Sequence, residues 1–125
     1  MFRHTKAFSS FSVDDIDKAK EFYGHTLGIN YFAGYGQLHL HFPGGNNVFL
    51  YTKPDHQPAS HTVLNFPVDD IEKICDELKE KGVDMLSYPE LEANCDERKI
   101  YSGSGPRIAW FNDPAGNILS IIEQS

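Results

Sequence analysis

The chain repeats itself, and the repeat limits its folds more than any other feature. Phe11-Ser12-Val13-Asp14-Asp15-Ile16-Asp17-Lys18 is answered by Phe66-Pro67-Val68-Asp69-Asp70-Ile71-Glu72-Lys73, at a constant offset of 55 residues. Leu27-Gly28-Ile29 is then answered by Lys81-Gly82-Val83 after a slip of one residue. Each copy lies between a strand pattern and a helix pattern. Self-similarity of this kind marks two copies of one supersecondary unit.

The unit can be read from its periodicities. Ile16, Ala19, Tyr23 and Leu27 fall at helical spacing, as do Ile71, Ile74 and Leu78 beside Cys75. Asp14 and Asp15, and Asp69 and Asp70, supply carboxylates where the first helical amides need acceptors. They are read as caps rather than catalytic acids. Gly28 and Gly82 end the helices. Strands are expected over residues 5–13 and 62–68 before the helices. Three more follow in each copy, at 30–35, 37–42 and 47–52, then at 85–88, 107–111 and 118–123. Pro43-Gly44-Gly45-Asn46 and Asp113-Pro114-Ala115-Gly116-Asn117 read as matching hairpin turns. Residues 53–60 connect the copies, and 90–105 form a long charged loop.

These patterns resemble the vicinal oxygen chelate superfamily, which includes glyoxalase I, bleomycin-resistance proteins and extradiol dioxygenases. The likeness rests on Val13-Asp14-Asp15 through Phe22-Tyr23 to Leu27-Gly28, and on Trp110-Phe111-Asn112-Asp113-Pro114-Ala115-Gly116-Asn117. It implies an α+β fold with two tandem βαβββ modules, about 1–56 and 57–125, in one domain. Their curved sheets would face each other around a cleft, within a homodimer. Fold leaves activity open, because function lives in the site.

In metal-dependent members of that superfamily, a histidine stands five residues before the valine of the V-x-D motif. A glutamate stands three residues after the asparagine of D-P-x-G-N. The corresponding positions here hold Phe8, Val63 and Ser120, with Phe49 or Tyr51 at the fourth. The resemblance therefore implies a member without the usual metal ligands, and no cofactor is expected.

Strand alternation assigns the faces. Phe8, Ser10 and Ser12 share one face of their strand, and Phe11 and Val13 face the helix. Leu38, Leu40, Val48 and Leu50 suit the helix side, leaving His39, His41, Phe49 and Tyr51 opposite. Val63, Asn65, Ser120 and Trp110 take the same side in the second copy, with Trp110 matched to His41. The expected ligand-binding set is Phe8, Ser10, His39, His41, Phe49, Tyr51, Asn65, Trp110 and Ser120. Such a wall suits an aromatic or cationic small molecule held by stacking and a few hydrogen bonds. Packing of the same rings into a closed core is the alternative. His39 and His41 admit three readings: a metal pair completed by His4, His61, Tyr51 or the 90–97 segment, an acid–base group, or a polar wall.

Composition narrows the partners. A net charge of −7 disfavours nucleic acid. No apolar run reaches the length of a membrane span. The first residues lack the apolar stretch of a signal peptide, and Cys75 and Cys95 sit in no metal-type spacing, so reduced thiols in a cytoplasmic protein are expected. The expected function is metal-free binding of a drug or metabolite. The alternatives are a metal-dependent lyase, isomerase or dioxygenase with a displaced site, and an interaction module with no open pocket.

Overall fold

A computed structural model of the chain describes residues 1–124. The fold is α+β, with two small curved sheets and few helices. The chain forms two compact units, Met1–Pro58 and a second from Ala59 onward.

In the first unit, β1 (Ser9–Val13) leads into α1 (Ile16–Lys20), which continues as a π-helical turn over Glu21–Thr26. Then follow β2 (Asn30–Gly34), β3 (Gln37–His41) and β4 (Val48–Thr52). The sheet order is β1-β4-β3-β2, with β1 parallel to β4 and the other pairs antiparallel. Asp15, not Asp14, caps the helix: its Oδ1 accepts from the amides of Asp17 and Lys18. The π turn accounts for the slip in the repeat. Val13 to Gly28 is one residue longer than Val68 to Gly82. The Leu27 amide reaches back five residues to the Phe22 carbonyl at 2.9 Å, absorbing that extra residue without breaking the helix. Ala19, Phe22 and Tyr23 are thereby buried against Leu38, Leu40, Val48 and Leu50 on the helix side of the sheet. Each large apolar side chain so placed contributes roughly 1.5–3 kcal/mol.

The second unit contains β5 (Thr62–Val68), α2 (Ile71–Glu80), a 3-10 turn (Pro89–Asn94), β6 (Ile108–Asn112) and β7 (Ile118–Glu123). Its sheet order is β5-β7-β6, with β5 parallel to β7. Asp70 caps α2 through the Lys73 amide. Ile71, Cys75, Leu78, Ile100, Ala109, Phe111, Leu119 and Ile121 are buried.

Two expectations are corrected here. Residues 85–88 form no strand, so the second sheet has three strands rather than four. The outer edge of β6 is divided: Leu86 donates to the Trp110 carbonyl, and Tyr101 exchanges both backbone bonds with Ile108. Neither segment extends, and Pro89, which has no amide proton, opens the 3-10 turn directly after Tyr88. The 90–105 segment carries the 3-10 turn and is held to β6 at Tyr101. Finally, residues 5–8 precede β1 instead of belonging to it.

Candidate functional site

The side of the first sheet away from α1 carries a row of rings. β1 and β4 pair Ser10 with Phe49 and Ser12 with Tyr51. β3 pairs His39 with Phe49, and β2 pairs Phe32 with His39. Ring centroids run from Phe8 to Phe49 at 5.4 Å, Phe49 to His39 at 3.7 Å and His39 to Phe32 at 5.8 Å. The structure thus brings Phe8, Ser10, His39, Phe49 and Tyr51 to one face, with Phe32 added. Phe8 is 66% exposed and Phe32 58%. Phe32 was legible from strand alternation, since Asn30 and Phe32 share the face opposite half-buried Tyr31.

Polar groups border this row. The Ser12 hydroxyl lies 2.6 Å from His56 Nδ1, a pairing across 44 residues that no local pattern signals. His41 is exposed, and its Nδ1 donates to Asn47 Oδ1 at 3.2 Å. His39 instead touches Phe49, with its ring tilted 59° to the phenyl plane. The two histidines share a face without sharing a partner. Among the described residues, no three His, Cys, Asp or Glu side chains are grouped to hold a metal ion.

In the second unit, Ser120 is fully buried and its hydroxyl donates to Asn65 Oδ1 at 2.5 Å. Trp110 pairs with Ser120 across β6 and β7. It is half-buried, with Tyr88 perpendicular at 5.4 Å and Tyr101 at 6.2 Å. Neither tyrosine was foreseen as a neighbour of Trp110, since both lie in irregular segments. The strand ladders also correct one alignment. Asn65 pairs with Ser120 as Ser10 pairs with Phe49. Trp110 pairs with Ser120 as His39 pairs with Phe49. Trp110 is therefore the equivalent of His39, not of His41. The same ladders make Phe49, rather than Tyr51, the counterpart of Ser120.

A turn buttresses this second sheet. Asp113 Oδ1 accepts from the amides of Ala115 and Asn117, and Oδ2 accepts from the Asn117 side chain. At the far end of the hairpin, Arg107 donates twice to Glu123, and Arg98 donates twice to Asp76. Hydrogen bonding from Arg107 holds the Glu123 carboxyl below its ordinary range.

Two units of one pattern, each with a helix on one side of a small sheet and aromatic groups on the other, define the class of duplicated α+β sheet proteins to which vicinal oxygen chelate folds belong. Residues 3–121 match the sequence profile of the Glyoxalase/Bleomycin resistance protein/Dioxygenase superfamily, and the chain belongs to that family. It is 28% identical to the uncharacterized protein YraH of Bacillus subtilis (strain 168), over 89% of this chain and 91% of YraH. Among solved structures, it is similar to TnmS3, an antibiotic binding protein from Streptomyces sp. CB03234, with a TM-score of 0.71 and 27% identity over 98% of each chain. A glyoxalase/bleomycin resistance protein from the same Streptomyces strain gives 0.63 and 27%, covering 93% of this chain and 99% of that one. Among the described residues, no helix is long and apolar enough to cross a membrane.

Proposed function

We propose that this chain binds a planar small molecule against the aromatic side of its first sheet, sequestering a drug or metabolite without help from a metal. The observation that carries the reading is the ring row of Phe8, Phe49, His39 and Phe32, half-buried in the middle and exposed at its Phe8 and Phe32 ends. Contiguous exposed apolar surface is unusual in a protein that has no use for it. Ser10, His41 and Tyr51 on the same face offer polar groups that a ligand stacked on the rings could reach.

Two further points support it. The antibiotic-binding relative TnmS3 matches at 27% identity along nearly all of both chains. The donor chemistry also disfavours a metal at the superfamily's positions: Phe8, Val63 and Phe49 are hydrocarbon, and the Ser120 hydroxyl is already engaged by Asn65. Such a set does not fit a divalent ion, which takes nitrogen, thiolate or carboxylate ligands. Homodimer assembly and a cytoplasmic location belong to the same proposal; Cys75 and Cys95, both free thiols, agree with the latter.

The test is calorimetric titration with proflavine and with metal-free bleomycin, with and without a chelator. Saturable binding indifferent to the chelator is expected. Phe49→Ala removes the ring that touches both Phe8 and His39, and should weaken binding about tenfold. Absence of binding to either probe, an undiminished affinity in Phe49→Ala, or stoichiometric bound metal that disappears in His41→Ala would overturn the reading.

A further inference from the structure

The second unit contains a cleft of its own beside β6. It is an open depression of about 300 Å³, lined among others by Tyr88, Trp110, Leu91, Ile118, His61 and Glu90. That volume is at the small end of ligand pockets. We propose that this cleft is a subsite for an organic cation, a quaternary or protonated amine, and that Glu90 makes it selective for charge. The inference rests on the reading of the chain as a small-molecule binder, but on different residues from those of the first sheet.

Three features point to a cation. Tyr88 and Trp110 stand at 89° with centroids 5.4 Å apart, so their rings form two adjoining walls. Ring faces attract cations through their quadrupole, with tryptophan the strongest. The charge in the lining is also one-sided. Glu90 is its only carboxylate, and neither lysine nor arginine lines the cleft. Among the described residues Glu90 makes no ion pair, whereas Arg98 and Arg107 are engaged by Asp76, Glu72 and Glu123. Lastly, Leu91 and Ile118 supply an apolar surface for the alkyl or aryl remainder of the ligand. A neutral planar molecule has no need of Glu90, and an anion would be repelled by it.

The cleft is also preorganised. Tyr88 directly precedes the 3-10 turn that carries Glu90 and Leu91, and the Leu91 amide closes the turn on the Tyr88 carbonyl at 2.9 Å. Trp110 is fixed in β6 opposite buried Ser120. Burial, and then the charge of Glu90, raise the Tyr88 phenol above its ordinary value, as expected of a carboxylate whose field reaches the ring.

The test compares choline with 3,3-dimethyl-1-butanol, which replaces the ammonium nitrogen by carbon at nearly constant shape. Trp110 is the sole tryptophan, so the single indole N–H resonance of the full-length chain reports on the cleft. Choline should shift it saturably and bind about tenfold more tightly than the alcohol. Glu90→Gln should cut the choline preference several-fold, to what the ring faces alone supply, and leave the alcohol unchanged. Glu92→Gln, an exposed neighbour outside this lining, should alter neither. Equal affinities for the two probes, an unmoved indole resonance, or equal weakening by the two Gln variants would overturn the proposal. Proflavine titration of the unaltered chain separates the two hypotheses: proflavine binding with no choline preference sinks this one alone. Choline binding without proflavine or bleomycin binding sinks the other.

Discussion

The turn between β6 and β7 carries a stability prediction whose size can be worked out bond by bond. Asp113 is 4% exposed and Asn117 2%. The Asp113 carboxylate accepts from the Asn117 amide at 2.8 Å, from the Asn117 side-chain nitrogen at 2.9 Å and from the Ala115 amide at 2.9 Å. Asp113→Ala removes the acceptor that both Asn117 donors use in a buried setting, at roughly 1–3 kcal/mol each. The Ala115 amide is half-buried, so water replaces part of its bond. The expected loss is about 3–4 kcal/mol. With a urea slope of about 1.5 kcal/mol/M, that moves the unfolding midpoint down by about 2 M. Urea unfolding followed by Trp110 fluorescence measures it. A loss below about 1 kcal/mol, or a changed slope, refutes the accounting.

A cycle sharpens the same point. Asp113→Asn keeps an oxygen for the backbone amides but turns an NH2 toward that of Asn117. Asn117→Asp sets two carboxylates against each other. The double exchange restores one donor against one acceptor, so it should be more stable than either single variant, with a coupling of about 1 kcal/mol or more. Additive losses would mean that the side-chain bond contributes nothing specific.

Other perturbations follow from the same structure. Asp15→Ala and Asp70→Ala should each cost about 1 kcal/mol in thermal or urea unfolding, while Asp14→Ala and Asp69→Ala should be near neutral, because only the former pair accepts from helical amides. The lowered Glu123 carboxyl predicts a pH dependence. Its folded-state value lies below the unfolded one, so the Arg107 pairing stabilises fully above the ordinary carboxylate range and is lost as pH falls through the depressed value. Arg107→Gln should therefore flatten the acid limb of a stability-versus-pH curve, and parallel limbs would disprove the linkage. The Cys75 thiol is buried and pushed up to about 11, so iodoacetamide should label half-exposed Cys95 well before Cys75 in the native chain, as read by peptide mass spectrometry.

The sequence exposed whatever obeys a local period. Leu38, Leu40 and Leu50 are fully buried, and His39 and Phe49 lie on the opposite face, because a strand alternates whatever surrounds it. Gly28 and Gly82, at φ 72° and 82°, take the left-handed conformation that the helix ends required. What escaped depends on partners distant in the chain. The failure of residues 85–88 to form a strand reflects competition from Tyr101 for the edge of β6. The Tyr88–Trp110 corner and the Ser12–His56 contact join segments that no periodic pattern connects. Glu90 lay within the charged loop, but its place beside a tryptophan depends on the 3-10 turn begun by Pro89.

The corrected register also explains how one duplicated scaffold comes to present two different surfaces. At equivalent places the first unit has Ser10, Phe49 and His39, and the second Asn65, Ser120 and Trp110. In the first, both members of the β3–β4 cross-strand pair are rings, in contact at 3.7 Å, and the row they start spreads outward to exposed Phe8 and Phe32. In the second, the large residue is on β6 and the small one on β7. Ser120 can then bury completely against Asn65, and the indole meets Tyr88 and Tyr101 from the irregular segments beside the sheet. A broad ring surface follows from the first arrangement and a small open cleft at the Tyr88–Trp110 corner from the second. Ser120→Phe would force a second ring against Trp110 and deprive Asn65 of its donor. It should therefore destabilise the second unit by overpacking, rather than convert its cleft into a copy of the first unit's ring row.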